Sequence, residues 1–501
     1  MAEERSVLTA SRVPALRVAV RNGAPVRPDG RFVLYWCIAA RRPSSNFALE
    51  RAVEWAAELA RPLVVLEPLR AGYAWASDRL HRFVLQGMAD TQARLASKPV
   101  LYRPYVERAV DEGRGLLAAL ARDACVVVTD DFPCSFLPRM VAAAAERLPV
   151  RLEAVDGNGL LPMRATAQVF PTAYAFRRFL QKELAPHLRV FPRADPFARR
   201  ALPRLAKLPA EVERRWPAPD AKLLAGEAAA LAALPIDHAV GPAPFAGGAT
   251  AARATLAGFV RDRLARYADE RAHPDLDASS GLSPWLHFGH VSIHEVFAEV
   301  AKREQWKLDQ LGASVGGRRV GFWRMSAAAE SFLDECVTWR ELGLNFCSKR
   351  DDYADFEALP DWAKATLRSH SGDPRPRTYS LAQLAGARTH DELWNAAQRE
   401  LATTGRLQNY LRMLWGKRVL EWSEAPEQAF ATLIELNNRF AVDGRDPNSY
   451  SGIAWVFGRY DRPWAPQRPI FGAIRYMSSA NTARKLELAR YLVRFGPLDA
   501  S

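Results

Sequence analysis

Five short apolar runs alternate with stretches of helical periodicity between residues 31 and 157. The runs cover Phe32 to Ala40, Pro62 to Leu69, Val100 to Tyr105, Cys125 to Thr129 and Val150 to Val155. The stretches between them repeat apolar residues at helical spacing and cover Asn46 to Ala60, Asp78 to Ala96, Val110 to Ala121 and Phe136 to Leu148. Alternating strands and amphipathic helices bury both faces of a sheet. This region therefore predicts an α/β fold with a doubly wound parallel sheet.

The turn after the first apolar run lacks the glycines of an ordinary dinucleotide site. It reads Arg41, Arg42, Pro43, Ser44, Ser45, with no GxGxxG pattern. Those glycines allow the backbone to approach a pyrophosphate at a helix N-terminus. The sequence therefore disfavours an ordinary Rossmann NAD site here.

The rest of the chain changes character twice. Residues 161–245 are rich in Pro, Arg and Ala and are only partly helical, whereas residues 246–501 are almost wholly helical. A chain of 501 residues also exceeds the roughly 250 to 300 residues that one core supports. We therefore expect an α/β domain over 25–160, an interdomain connection over 161–245 and an all-helical domain over 246–501.

Charge and cysteine content narrow the function classes. Lys and Arg number 69 against 56 Asp and Glu, a net charge of +13 that favours a polyanionic partner such as nucleic acid over a merely basic surface. The five cysteines include no CxxC pair, which argues against a disulfide framework and a cysteine-ligated cluster. No run of 18 apolar residues occurs, and Glu3 and Glu4 lie where a signal peptide would be basic. We expect a soluble cytoplasmic protein.

Three tryptophans lie in two consecutive predicted helices. Thr389 and Glu392 have capping-box spacing, which predicts a helix start there and a helix that ends before Gly405; a second helix covers Leu407 to Trp422. Trp415 and Trp422 are seven residues apart, hence on one face at about 10 Å. With Trp394 they suit an electron relay, although aromatic stripes at helical spacing are also typical of core packing. Met413 lies on a different face from Trp415.

Ser279 to His290 reads SSGLSPWLHFGH, a small-residue loop that runs into a helix. Backbone amides at such a helix start suit a phosphate, although the same pattern begins many ordinary helices. The histidines His287, His290 and His294 have no acidic or cysteine ligand at zinc-like spacing. We predict no metal site.

Two mixed segments place tryptophan beside polar groups. Phe332 to Phe346 reads FLDECVTWRELGLNF, and Asn437 to Trp455 reads NNRFAVDGRDPNSYSGIAW. A solvated face explains most of the charges. A tryptophan next to carboxylates also offers a nucleobase a stacking surface and a hydrogen-bond acceptor.

Together these segments resemble the photolyase and cryptochrome family, and in detail its class II cyclobutane pyrimidine dimer photolyases. The similar segments are VLYW (33–36), LSPWLHFG (282–289), WRELGLNFC (339–347), THDELWNAAQ (389–398), LRMLWGKRVLEW (411–422), VDGRDPNSY (442–450) and RPIFGAIRYM (468–477). They extend over most of the chain in the family's order. The resemblance implies an α/β antenna-type domain followed by an all-helical domain that binds FAD.

The resemblance also implies the cofactor-binding residues. Those that would hold the flavin's phosphates, ribityl chain and ring are Tyr267, Arg271, Ser280, Gly281, Leu282, Ser283, Arg412, Asn437, Asp443 and Asp446. Arg412 would pair with Asp443 beside the ring, and Asn437 would face its N5 atom. Trp415, Trp394 and Trp422, in that order, would carry an electron between flavin and surface. A second chromophore, which would act as an antenna, is also expected. The resemblance does not identify it.

By the same resemblance, the substrate is UV-damaged double-stranded DNA whose dimer is flipped out of the helix. One electron from light-excited, reduced flavin would split the dimer and then return. The implied pocket residues are Glu335, Trp339, Arg340, Asn409, Met413 and Trp455. The two tryptophans would stack on the dimer and Glu335 would hydrogen-bond a pyrimidine. A monomer is expected.

The chain departs from the class II pattern at three places. Leu407, Gln408 and Asn409 replace a usual Met-His-Gly, His290 replaces a usual Gln, and the loop after Trp455 is one residue short. These departures fall on substrate contacts rather than on the flavin residues. The alternative function is a cryptochrome-like photoreceptor, which would bind FAD without repair and would lose the pocket tryptophans.

Overall fold

The computed structural model describes residue 8, residues 11–313 and residues 315–497. The chain divides into two compact units. The sheet unit comprises Met1–Thr166, Glu183–Ala257 and Leu282–Glu299, and the helical unit comprises Ala167–Lys182, Gly258–Gly281 and Val300–Ser501. The domain bounds 25–160, 161–245 and 246–501 stay a prediction.

A six-stranded sheet forms the centre of the sheet unit. Its strands are β1 (Val18–Val20), β2 (Phe32–Trp36), β3 (Leu63–Leu69), β4 (Leu101–Val106), β5 (Ala124–Asp130) and β6 (Leu152–Val155). Their order is β1-β6-β5-β2-β3-β4, and every pairing is parallel except that of β1 with β6. The predicted doubly wound sheet is confirmed. The edge strand β1 was not predicted, because three residues are too few to show a strand period.

Helices cover both faces of this sheet. The first four are α1 (Phe47–Glu58), α2 (Asp78–Leu95), α3 (Leu116–Asp123) and α4 (Leu137–Ala145). One apolar layer packs α1 against the sheet and the other packs α3 and α4 against the opposite face. All five residues of β2 are buried, which explains its continuous apolar sequence.

The carboxyl end of β2 binds an internal carboxylate. Asp130, the last residue of β5, accepts hydrogen bonds at Oδ2 from the amides of Ile38 (2.8 Å), Ala39 (2.8 Å) and Ala40 (3.1 Å). Its Oδ1 accepts another from the hydroxyl of Tyr35 (2.7 Å). Successive amides of this kind form an anion-binding nest. The apolar run that predicted a strand to Ala40 therefore leaves the sheet after Trp36.

Shorter helices follow between residues 173 and 303. They are α5 (Ala173–His187), α6 (Ala210–Arg215), α7 (Ala221–Ala225), α8 (Ala228–Ala232), α9 (Ala249–Gly258), α10 (Tyr267–Glu270), α11 (Ser283–His287) and α12 (Ile293–Arg303). Short 3-10 turns occur at Ala15–Arg17, Met163–Ala165, Leu264–Arg266, Pro274–Leu276, Leu308–Gln310 and Phe356–Ala358. Among the described helices, none combines the length and the apolar character that a membrane span requires.

Ten further helices lie in the described residues of the helical unit. They are α13 (Ala327–Leu333), α14 (Arg340–Lys349), α15 (Asp361–Ser369), α16 (Leu381–Ala385), α17 (Glu392–Thr404), α18 (Asn409–Trp422), α19 (Pro426–Phe440), α20 (Pro447–Val456), α21 (Ser479–Ala483) and α22 (Ala489–Phe495). Two π-helical stretches, Phe259–Arg263 and Asp334–Trp339, interrupt the ordinary helix period. The second lies between α13 and α14.

Three helix starts differ from prediction by two residues or more. Helix α18 begins at Asn409 rather than Leu407, because Gln408 is its N-cap and accepts from the Leu411 amide (3.0 Å). The capping box at Thr389 is wrong: Asp391 is the N-cap of α17 and accepts from the Trp394 amide (3.0 Å), while the Thr389 hydroxyl donates to Asn395. Helix α3 begins at Leu116 rather than Val110, because Gly115 adopts φ of 92° in front of it. The predicted end of α17 is confirmed, with Gly405 at φ of 71°.

We expect Asp130→Ala to destabilise the sheet unit by about 3 kcal/mol, because it leaves several buried donors without an acceptor. Urea unfolding followed by circular dichroism measures this change. Asp123→Ala is the matched control, since Asp123 pairs with Arg31 at the surface and its loss should cost less than about 1 kcal/mol. Equal effects of the two variants would contradict the role of the amide nest.

Candidate functional site

Three predicted cofactor residues meet around one guanidinium in the helical unit. Arg412 on α18 donates from Nη1 to Oδ1 of Asn437 (3.2 Å), and its Nη2 lies 3.6 Å from Oδ1 of Asp443. Asn437 is buried and donates its own amide to Asn438 (3.2 Å). The predicted pairing of Arg412 with Asp443 is thus present in the geometry, with Asn437 on the same guanidinium.

A second guanidinium faces the glycine of the predicted phosphate loop. Arg406 Nη2 donates to the carbonyl of Gly281 (3.0 Å), and Gly281 has φ of 66°. A Cβ on Gly281 would lie 3.3 Å from Nη1 of Arg406. Burial lowers the pKa of Arg406 to about 10, with Asp443 opposing that shift. Sequence reasoning missed Arg406, because a single arginine after a helix end carries no pattern that distinguishes a binding residue from a surface one.

The third group links predicted cofactor and substrate residues. Arg271 Nη1 lies 2.6 Å from Oε1 of Glu335, and its guanidinium lies 5.4 Å from the centroid of the Tyr267 ring. Burial raises the pKa of Glu335, against the attraction of Arg271. Burial also raises the pKa of Tyr267 far above its ordinary value, with Glu335 adding to the rise. Gln408 donates to the carbonyl of Arg271 (2.7 Å) and so ties α18 to this group.

The residues present in the helical unit fit a flavin dinucleotide. Arg271 and Arg406, together with the Ser280–Gly281 backbone, offer donors of the kind that bind a diphosphate. Oδ1 of Asp443 is buried and accepts no hydrogen bond among the described residues. An unsatisfied buried acceptor costs free energy unless a ligand pairs with it. Oδ1 of Asp443 is therefore suited to accept a hydrogen bond from an N–H group of a bound flavin ring.

Other predicted cofactor residues have local structural explanations or lie elsewhere. Asp446 is the N-cap of α20 and accepts from the Asn448 amide (2.9 Å). Leu282 and Ser283 belong to the sheet unit, since the chain leaves the helical unit after Gly281. Ser283 is exposed and begins the short helix α11. Their cofactor roles stay a prediction.

The three relay tryptophans are in contact. The indoles of Trp415 and Trp394 are parallel within 3° with centroids 6.5 Å apart, and Trp394 and Trp422 have centroids 5.5 Å apart. All three are buried. Beyond Trp422 lie Tyr379 at 5.3 Å and the exposed His390 at 5.4 Å. Trp394 therefore lies between the other two, which is the predicted order.

Hydrogen bonds fix the planes of these indoles. Trp415 Nε1 donates to Oε1 of the fully buried Gln398 (3.0 Å), and Trp394 Nε1 donates to the carbonyl of Trp415 (3.0 Å). A guanidinium, that of Arg418, lies 4.9 Å from the centroid of Trp422. Sequence reasoning missed Gln398, because one amide in an amphipathic helix carries no distinct pattern.

Two of the predicted substrate residues are a pair of stacked tryptophans. Trp339 and Trp455 have centroids 4.5 Å apart and an interplanar angle of 19°, and both are half-buried. The π-helical stretch Asp334–Trp339 carries both Glu335 and Trp339. Such stretches commonly occur at functional sites, because the extra residue re-aims side chains. Met413 and Arg340 are half-buried, and Asn409 is exposed at the start of α18.

We expect Arg271→Met to raise the pKa of Glu335 further, because burial then acts without its opposing charge. A raised carboxyl pKa favours the protonated folded state, so stability is full at low pH and is lost as pH rises through that pKa. The thermal midpoint should fall more between pH 5 and pH 8 than in wild type, equivalent to about 1 kcal/mol. Arg261→Met is the control, since Arg261 is exposed and, within the part of the chain that the structure describes, pairs with its neighbour Asp262. Equal pH dependence in both variants would contradict the coupling.

Comparison with known proteins gives the family. Over 482 residues the chain is 34% identical to a deoxyribodipyrimidine photo-lyase from Methanothermobacter thermautotrophicus, a match that covers 96% of this chain and 98% of that protein. A bacterial class III photolyase from Agrobacterium tumefaciens has the same fold, with a TM-score of 0.64, 18% identity and coverage of 93% of this chain and 86% of that one. A cryptochrome from Synechocystis is similar, with a TM-score of 0.65, 16% identity and coverage of 93% and 88%.

No protein-family model matches the chain. The two structural likenesses show the fold alone, whereas the sequence identity extends over nearly the whole of both proteins. On that identity, the chain belongs to the photolyase and cryptochrome family.

Proposed function

We propose that this chain is a light-driven DNA repair enzyme that splits cyclobutane pyrimidine dimers, a deoxyribodipyrimidine photo-lyase. The observation that carries the proposal is the stacked Trp339–Trp455 pair, with Glu335 on the same π-helical stretch as Trp339, because a photoreceptor has no need of a stacking surface for a lesion. The relative from Methanothermobacter thermautotrophicus, named for this activity, supports it. The net charge of +13 suits a DNA backbone.

The cofactor of the reaction would be FAD. When bound and reduced, FAD supplies on illumination the single electron that opens the dimer. Arg271, Arg406 and the Ser280–Gly281 backbone would hold its diphosphate, and Tyr267 would pack beside them. Arg412, Asn437 and Asp443 would hold its ring. Asn437 would face the ring's N5 atom, where an amide could accept a hydrogen bond from a protonated N5 without adding charge.

The substrate would be a dimer flipped out of double-stranded DNA. Trp339 and Trp455 contact each other at 4.5 Å, so no base fits between them in this arrangement. The dimer would instead stack on an outer face of the pair. Glu335, whose pKa burial raises, would offer a proton to a pyrimidine carbonyl. A hydrogen bond of this kind stabilises charge that develops on the oxygen. Met413, Asn409 and Arg340 would line the remaining pocket.

The tryptophan stack would serve reduction of the cofactor rather than repair itself. Trp415, Trp394 and Trp422 lie in contact in the order from the Arg412 group toward the exposed His390. Electron transfer through such contacts would restore the reduced cofactor under light. Trp415, which Gln398 orients, would be the first donor.

The finer assignments are also part of the proposal. We assign the chain to class II, on the WRELGLNFC and LRMLWGKRVLEW segments, as a divergent member because of Leu407, Gln408 and Asn409. Its second chromophore is unidentified. A monomer in a reducing cytoplasm is expected, and the five cysteines are free and buried.

The purified protein should contain flavin and, once reduced, should remove dimers from a duplex only when illuminated. Absorption spectroscopy and chromatography of digested dimer-containing DNA measure these two properties. Absence of flavin would remove the basis of the proposal. Flavin without light-dependent loss of dimers would favour the photoreceptor.

Trp415→Phe should slow light-driven flavin reduction by about tenfold or more, a barrier increase of at least about 1.4 kcal/mol. Repair by chemically reduced enzyme should stay near wild type, because that reaction bypasses the stack. Flash photolysis and a dimer assay measure the two rates. Trp323→Phe is the matched control: Trp323 is equally buried in the helical unit and contacts Trp306 outside the stack. Parallel loss of both rates in Trp415→Phe would assign Trp415 a structural role.

A further inference from the structure

A lysine is buried inside the helical unit beside the proposed lesion pocket. Lys417 on α18 is only 1% exposed, and its ammonium donates a hydrogen bond to the carbonyl of Val456. Val456 is the last residue of α20 and follows Trp455 directly. One of the pocket tryptophans is therefore attached, through the adjacent peptide, to a buried cation.

The same tryptophan is held at its other edge by a carboxylate. Trp455 Nε1 donates to Oδ1 of Asp461 (3.1 Å), and the Asp461 amide in turn donates to the carbonyl of Gly458 (3.0 Å). Asp461 is also the attractive charge that acts on Lys417, while Arg475 is the repulsive one. Lys417, Asp461 and Trp455 thus form one electrostatic group around the end of α20.

The position of Lys417 on its helix agrees with this group. It lies one turn after Met413, and residues four apart share a helix face. Trp415, two residues earlier, lies on the opposite side and contacts Trp394. The face of α18 that carries Lys417 is therefore the pocket face.

A cation at this place is costly for folding. Burial lowers the pKa of Lys417 from 10.5 to about 7. Because the folded chain disfavours the charged form, stability is lost as pH falls from about 10.5 toward 7. Desolvation of a buried ammonium costs free energy, which is repaid only where the surrounding geometry is excellent. The free energy of folding therefore does not explain why position 417 is a lysine.

We propose that Lys417 is a positioning residue, which with Asp461 holds Trp455, and through stacking Trp339, in the orientation that a flipped dimer requires. The inference rests on the proposed function. Lys417 would act in recognition of the lesion. Flavin reduction would use Trp415, which lies on the opposite face of α18. Trp455 itself remains the residue that touches the substrate.

The test is dark binding of holoenzyme to a duplex with one thymine dimer and to the same duplex undamaged. Lys417→Met should lower the ratio of the two affinities by about fivefold or more, while flavin content and the rate of light-driven flavin reduction stay unchanged. Its thermal midpoint should equal or exceed that of wild type. Lys485→Met, which removes the same charge from an exposed position, is the control and should keep the ratio.

A second variant and a pH series keep the inference testable if Lys417→Met folds poorly. Asp461→Asn keeps an acceptor for Trp455 Nε1 but loses the charge, so it should also lower the ratio. Its effect should not add to that of Lys417→Met, since the two side chains act on one group. The wild-type ratio should fall as pH rises through about 7, where the ammonium is lost, and the ratio in Lys417→Met should not.

The outcomes distinguish failure of the proposed function from failure of the role assigned to Lys417. A wild type with no preference for the damaged duplex overturns the proposed function and this inference with it. A wild type that prefers the lesion, with an unchanged ratio in Lys417→Met, overturns only the role of Lys417. If Lys417→Met does not fold, a normal ratio in Asp461→Asn together with a flat wild-type pH profile overturns it as well. A lower midpoint with an unchanged ratio would assign Lys417 a structural role.

Discussion

The arrangement of the helical unit depends on one close approach between two helices. A Cβ on Gly416 would lie 2.6 Å from Cγ2 of Val456, so α18 and α20 meet at a distance that only glycine permits. This contact brings the pocket tryptophan of α20 to the helix that also carries Arg412 and Trp415. It also brings Lys417 within reach of the final carbonyl of α20. A larger residue at position 416 would separate two sets of functional groups at once.

Buried ion pairs fix the parts of the helical unit that are distant in sequence. Arg177 binds Asp334 through two nitrogens at 2.8 and 3.0 Å, and both side chains are almost fully buried. Asp334 begins the π-helical stretch that ends at Trp339. The pair thus anchors the segment that aims Glu335 and Trp339. A bidentate geometry supplies direction as well as energy, since guanidinium and carboxylate are planar.

The sequence predicted those features that depend on local pattern. The strands β2 to β6 followed from their apolar runs, and the order of the three tryptophans followed from the family resemblance. The contacts that pattern cannot encode were missed: Arg406 with Gly281, Gln398 with Trp415, and Lys417 with Val456. Each joins polar groups that are distant in sequence or lie on different helices, and a single polar residue has the same local signature whether it is buried or solvated. The cap of α17 was misplaced because Thr389 and Asp391 are both good caps, and the local hydrogen bond from Thr389 to Asn395 of the same helix decides between them.

The carboxylate of Asp130 occupies an anion-binding loop of the sheet unit, where it accepts hydrogen bonds from three successive amides. In open parallel sheets the loop after the central strand, where strand order reverses, is the usual place for a nucleotide phosphate. Here the amides of Ile38, Ala39 and Ala40 already neutralise a negative charge of the chain itself. A second anion would face electrostatic repulsion and would have no free donor among these three. The fold therefore places one of its own carboxylates where open parallel sheets commonly bind a phosphate, so the three amides of this loop are already occupied.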